Sequence, residues 1–164
     1  MDELSYAESI DIALGPEALY DMVADVTRMG EWSPVCTGGW WDEGDGPREG
    51  AWFTGRNELP DRVWETRSRV VAADRPREFA FMVRGTWARW GYTFTAVDGG
   101  TRVTESWEFL PDGIAGFRER YGDDAPHQIE VRIGAARRGI PVTLTALKTS
   151  AEQGAAEERA AETG

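Results

Sequence analysis

The chain has 164 residues, 41% of them hydrophobic and 29% charged, and carries a formal net charge of −11 at pH 7. That is the balance of one soluble domain able to bury a sizeable core, and its single cysteine, Cys36, excludes an internal disulfide. The acidic excess argues against a partner held by phosphate neutralisation, so nucleic acid is not expected, and no apolar run is long enough for membrane insertion.

The opening MDELSYAESI is acidic and lacks the basic region and apolar run of a signal peptide, which makes a cytoplasmic location the expectation. From Leu4 to Leu14 apolar residues fall on even positions (Leu4, Tyr6, Ile10, Ile12, Leu14), the mark of a strand with one buried face. Gly15-Pro16-Glu17 then opens a helix, because proline suits the first helical position and a carboxylate the positive end of the dipole. Leu19, Met22, Val23 and Val26 give that helix one apolar stripe, and a second short helical turn is expected around Thr27–Gly30.

Beyond this point the period changes to two. Strands are predicted near 35–43, 51–59, 62–73, 77–84, 87–97 and 101–110, with Gly- and Pro-rich turns around 38–50 and 59–61. Runs of strands joined by short turns imply an antiparallel meander. PDGIAGFRERYGDDAP reads as a loop. After it, Ile129, Ile133, Ala136, Ile140, Leu144 and Leu147 step by fours and threes along one face of a long C-terminal helix, which Pro141 should kink. The last stretch, GAAEERAAETG, has no apolar face and is expected to fray, giving a single domain over 1–153 and a tail over 154–164. This order is α+β: a curved antiparallel sheet of about seven strands wrapped around the last helix, with two short helices after the first strand.

Eight tryptophans are more than packing alone ordinarily requires, and large aromatics that do not fill a core line pockets. Turning the apolar side of each strand inward gives a wall of Phe53, Trp64, Phe81, Trp90, Tyr92, Phe94 and Trp107, with Asn57, Thr66, Ser68 and Glu105 among them. Arg56, Arg67 and Arg69 fall on the opposite parity, outside. Thr66 and Ser68 are also ordinary strand residues, and Asn57 lies near a turn that it could cap. Glu105 is the pointed case, since a buried carboxylate is costly unless paired: it either serves a ligand or is matched by a structural partner. Trp32 either gates the entrance or staples the short helices to the sheet. Metal ligation draws on histidines or several cysteines, and His127 and Cys36 alone supply neither a metal site nor a nucleophilic triad; no metal and no cofactor is expected.

Three stretches, SIDIALGPEALYDMVADVTRMGEWSP, GAWFTGRNELPDRVWETRSRVVAADRPREFAFMV and WGYTFTAVDGGTRVTESWEF, resemble the START-related helix-grip (SRPBCC) superfamily, in particular its polyketide cyclase/dehydrase and lipid-transport group. RRGIPVTLTALKTSAE fits the family's C-terminal helix, so the resemblance runs from about Ser5 to Gln153. It implies a helix-grip fold with a cavity between sheet and C-terminal helix, holding an apolar or aromatic small molecule. The leading expectation is therefore a binder of a hydrophobic, aromatic or polyketide-like molecule, acting as a monomer or homodimer. The alternative is a polyketide cyclase/dehydrase that positions a poly-ketone chain, with Glu105 as acid/base and Tyr92 or Ser68 as hydrogen-bond partner. A third is a co-chaperone-like interaction module, which would show an exposed apolar patch instead.

Overall fold

The first strand, β1 (Ser5–Ile12), lies at one edge of the sheet, and the second, β2 (Cys36–Trp41), at the other. The remaining strands are β3 (Trp52–Leu59), β4 (Arg62–Asp74), β5 (Glu78–Val83), β6 (Ala88–Val97) and β7 (Gly100–Phe109). They run as a meander, and β1 closes against β7 to give the antiparallel order β1-β7-β6-β5-β4-β3-β2. Residues 4–44 and 46–163 are described by this computed structural model. Period-two apolarity is what sets these strands: on β7, Thr101, Val103, Glu105, Trp107 and Phe109 are all buried, while the residues between them are exposed or half-buried. The β6–β7 connection turns at Gly99, whose φ of 81° lies in the left-handed region that glycine enters without a Cβ clash. Register shifts at Cys36/Gly38 and at Val70/Ala72 put bulges into the sheet, the usual source of local twist and bend.

The crossing from one sheet edge to the other is made by α1 (Pro16–Ala24) and a 3-10 turn over Val26–Glu31, where the sequence expects a helix followed by a short helical turn. Leu19, Tyr20, Val23 and Ala24 bury one side of α1 against β5 and β6, and the Tyr20 ring meets the edges of Phe79 and Phe94. Arg75 ties α1 to the β4–β5 turn through two hydrogen bonds to Asp21.

One segment departs from the sequence reading. PDGIAGFRERY, expected to be a loop, forms α2 (Pro111–Tyr121). Pro111 at the first turn and Asp112 beside it are helix-start signals. They are easily overlooked because the apolar residues are few and two glycines interrupt them. Those glycines are required by packing: a Cβ at Gly113 or Gly116 would run into Trp87, into its backbone carbonyl in the first case and its ring in the second.

The long helix α3 (Ala125–Thr163) spans 39 residues, about 58 Å at 1.5 Å per residue. Ala136, Ile140, Leu144, Leu147 and Ala151 are buried, as the stepping pattern predicts. Pro141 sits inside it and removes one backbone donor, the one that would bond the Arg137 carbonyl. The helix continues through 154–163, the stretch whose composition predicts fraying. Toward β1 it is fastened by Lys148, which donates to the Asp11 carbonyl at 2.7 Å, and by Glu152, which accepts from the Ala13 N–H at 2.9 Å. The outcome is α+β, a curved seven-stranded antiparallel sheet with a long C-terminal helix.

Candidate functional site

Glu105 sits mid-strand on β7, 3% exposed, with Tyr92 of β6 opposite it on one side and Glu8 of β1 on the other. The Tyr92 hydroxyl donates to Glu105 Oε2 at 2.7 Å. The other carboxyl oxygen, Oε1, has essentially no surface and no hydrogen-bond partner, alone in this among the described residues. No arginine or lysine pairs with Glu105 there. Burial therefore dominates, and it pushes the carboxyl up to about 8, with the Tyr92 hydrogen bond pulling the other way. Tyr92 itself is pushed well above the usual tyrosine range, first by burial and then by the neighbouring carboxyl.

At neutral pH the pair is thus a neutral acid beside a neutral phenol. With Oε2 accepting from Tyr92, the acid proton belongs on Oε1, where it has no acceptor. This is a donor held in an apolar setting, costly to leave unpaired. Glu8, directly across the strand, also accepts from a tyrosine, Tyr6 at 2.9 Å, but is exposed.

The other residues singled out by the sequence are distributed over two aromatic chains. Phe53, Phe81 and Phe94 are buried on one side of the dyad, where Trp41, Phe53, Phe81 and Phe79 meet ring to ring at 5.0–6.2 Å. On the other side Trp90 faces Trp107 at 6.4 Å, Trp107 stacks on Phe109 at 6.1 Å, and Phe109 meets Phe117 of α2 at 5.0 Å. Trp64 is half-buried near the β3–β4 hairpin, with Arg62 stacked over its ring at 4.4 Å. Asn57 and Thr66, on adjacent strands, satisfy each other: Asn57 Nδ2 donates to Thr66 Oγ1 at 3.0 Å. Ser68 is buried on the same face. Trp32 is buried in the core cluster at the end of the 3-10 turn, with the Arg28 guanidinium 5.3 Å from its ring centroid. His127 is exposed in the first turn of α3. Cys36 is buried on β2, its Sγ donating to the Gly38 carbonyl oxygen at 3.2 Å, and burial pushes its thiol up. No group of three or more His, Cys, Asp or Glu side chains able to hold a metal occurs among the described residues.

Two surface depressions lie elsewhere. One, of about 390 Å³, opens on the outer side of β1, β6 and β7 between Ser5, Ala7, Arg89, Ser106 and Glu108. The other, of about 180 Å³, flanks the β6–β7 turn beside Lys148. Neither is lined by Glu105 or Tyr92.

Over residues 3–130 the sequence matches the family described as polyketide cyclase/dehydrase and lipid transport. The chain belongs to that family. Among solved structures, the Polyketide_cyc-like protein Cgl2372 from Corynebacterium glutamicum shares 47% identity over 88% of this chain and 89% of its own, with a TM-score of 0.68. Two more distant structures share the fold. Protein NE0264 from Nitrosomonas europaea is 13% identical over 93% of this chain and 97% of its own, TM-score 0.67. StfQ, a di-domain aromatase/cyclase of the steffimycin biosynthetic pathway, is 13% identical over 93% of this chain and 52% of its own, TM-score 0.70. No curated protein matches the sequence. Membership and fold support a ligand-binding or cyclase role, and no helix among the described residues is long and apolar enough to cross a membrane.

Sequence reasoning missed the residues around Phe117. Arg132 of α3 lies 5.7 Å from that ring's centroid, although its spacing from Ile129 and Ala136 places it on the helix's apolar stripe. A charge at a stripe position was the available signal.

Proposed function

We propose that this protein binds a hydrophobic, aromatic or polyketide-like small molecule between the sheet and α3, with the Glu105–Tyr92 pair as the polar pole of the site. The observation that carries this reading is the unpartnered Oε1 of a buried carboxyl set among aromatic rings. A ligand carbonyl or hydroxyl is the natural acceptor for its proton, and aromatic walls with few convergent polar groups suit such a ligand. Because Oε1 has essentially no free surface, the ligand reaches it by displacing a neighbouring side chain. Native mass spectrometry of protein purified from its own host tests the proposal: a retained apolar small molecule, lost in a variant carrying Trp107→Ala, is expected. Uniformly ligand-free protein that also takes up no aromatic ketone in solution would count against it.

The second reading is catalytic, and one observation favours it. An acid held near 8 can both give and take a proton close to neutral pH, as aldol cyclisation and dehydration of a poly-ketone require. Glu105 would then be the acid/base and Tyr92 its hydrogen-bond partner. Arg56 and Arg67 are exposed on the outer face, Arg67 on Asp42 at 2.8 Å, so they contribute nothing to this chemistry. Unchanged product turnover in Glu105→Gln would remove the role.

A further inference from the structure

Two arginines lie over adjoining rings at the far end of the Trp90–Trp107–Phe109–Phe117 chain, and the charge of a third reaches them from β4. Arg132 projects from the apolar stripe of α3, half-buried, over the Phe117 ring. Arg62, exposed at the start of β4 on the parity of Trp64, Thr66 and Ser68, lies over the Trp64 ring, and its charge is felt by Arg132. Arg120, in the last turn of α2, lies over Tyr121, whose ring is 5.2 Å from Phe117. Burial holds Arg132 below the ordinary arginine range, and the charges of Arg62 and Arg120 add to it, while Tyr121, which accepts a hydrogen bond from Arg132, acts in the opposite sense.

In a chain of net charge −11, none of the three forms an ion pair with a carboxylate among the described residues. Seven other arginines are matched by a carboxylate, as Arg75 is by Asp21 and Arg102 by Asp11. Like charges gathered at one spot, one of them partly desolvated, cost stability unless an anion joins them.

We propose that Arg132, Arg62 and Arg120 bind the anionic end of the ligand, a carboxylate or a phosphate ester, while its apolar body lies along the aromatic chain toward Glu105. This inference rests on the ligand-binding reading above and specifies the ligand class: an elongated, amphipathic anion rather than a neutral hydrocarbon. Arginine suits the task because its planar fork presents paired N–H donors to two oxygens at once. The aromatic chain gives the length: it runs through successive ring contacts from Trp90 and Trp107, neighbours of Tyr92 and Glu105 on their strands, to Phe117 and Tyr121.

Two fluorescent probes of nearly the same shape separate the charge from the apolar body: anilinonaphthalene sulfonate and the uncharged N-phenylnaphthylamine. The wild-type protein is expected to prefer the sulfonate by about tenfold or more, the worth of one or two charged hydrogen bonds. Arg132→Gln and, separately, Arg62→Gln should each abolish most of that preference and leave the uncharged probe unaffected, which also shows that the variants fold. Arg118→Gln, an exposed arginine of α2 outside the group, should change neither. Displacement of the bound sulfonate by naphthoate or by naphthyl phosphate supports the proposal and tells carboxylate from phosphate; displacement by neither overturns it. Equal affinity for the two probes, or a sulfonate preference that survives both substitutions, overturns the anion site and leaves the apolar pocket standing. Failure of both probes to bind overturns the pocket and the anion site with it.

Discussion

Replacing Glu105 by glutamine isolates the consequence of burying an acid without a counter-charge. The carboxyl holds its proton up to about pH 8 in the folded chain and releases it near 4.5 when unfolded. Its folded-state pKa is raised, so it contributes stability fully below pH 4.5 and loses that contribution as pH rises toward 8. The loss runs at about 1.4 kcal/mol per pH unit and reaches roughly 5 kcal/mol across the interval. Glutamine keeps an acceptor for the Tyr92 hydroxyl but puts two unpaired N–H donors where the neutral acid has one unpaired O–H, an added cost of about 1–3 kcal/mol that does not vary with pH. Glu105→Gln should therefore be less stable than wild type at pH 5 and more stable at pH 8, the two curves crossing between about pH 5 and 7. Urea unfolding of both proteins at intervals across this range gives the difference directly. Carboxylates lowered by arginine or lysine partners, such as Asp21, Asp74 and Glu152, lose their contribution on the acid side, and they cancel in the comparison. A stability difference that stays constant from pH 5 to 8 would refute the reasoning, since Glu105 would then be ionised throughout.

Tyr92→Phe removes the one donor to Glu105, and should cost about 1–3 kcal/mol in urea unfolding and move the Glu105 carboxyl titration, read by carbon NMR, above its wild-type position. Leu144→Ala, on the buried stripe of α3, should cost about 2–5 kcal/mol by the same assay, whereas Arg102→Gln, which breaks an exposed pair with Asp11, should cost less than about 1 kcal/mol. Gly116→Ala raises helix propensity by about 1 kcal/mol yet drives a methyl group into the Trp87 ring, so the net effect should be a destabilisation with altered tryptophan emission. Cys36 is buried and its thiol pushed up, so it should resist alkylation in the folded protein and react freely in urea.

How much of this was legible in the residues depended on the range of the interactions involved. The strands announce themselves through nearest-neighbour alternation, a property of the chain's own pleat, and Trp64, Phe81, Trp90 and Trp107 each fall on the inward parity of their own strand for that reason. The start of α1 is equally local, a matter of Gly15, Pro16 and Glu17. For α2 the local signal at Pro111 and Asp112 was present, but Gly113 and Gly116 obscured it, and they make sense only once Trp87 is seen packed against that helix.

For the catalytic alternative the sequence offered Tyr92 or Ser68 as the hydrogen-bond partner of Glu105 but could not choose between them. Sequence parity put the glutamate inside and suggested that something must match it, an arginine or a ligand. Which residue stands across from it is set by the pairing of β6 with β7, and there the register places Tyr92 opposite, on one side only, leaving Oε1 bare. The arginine group has the same origin. Arg62, Arg120 and Arg132 are far apart in the chain; Arg62 and Arg120 each read as a solvated charge, and only the stripe position of Arg132 hints at more. The sequence by itself determined the α+β order, the inward faces and the candidate acid, because these follow from periodicity along one segment. Only the tertiary structure decided what each inward side chain meets, because strand register and helix placement bring together residues whose sequence positions carry no record of one another.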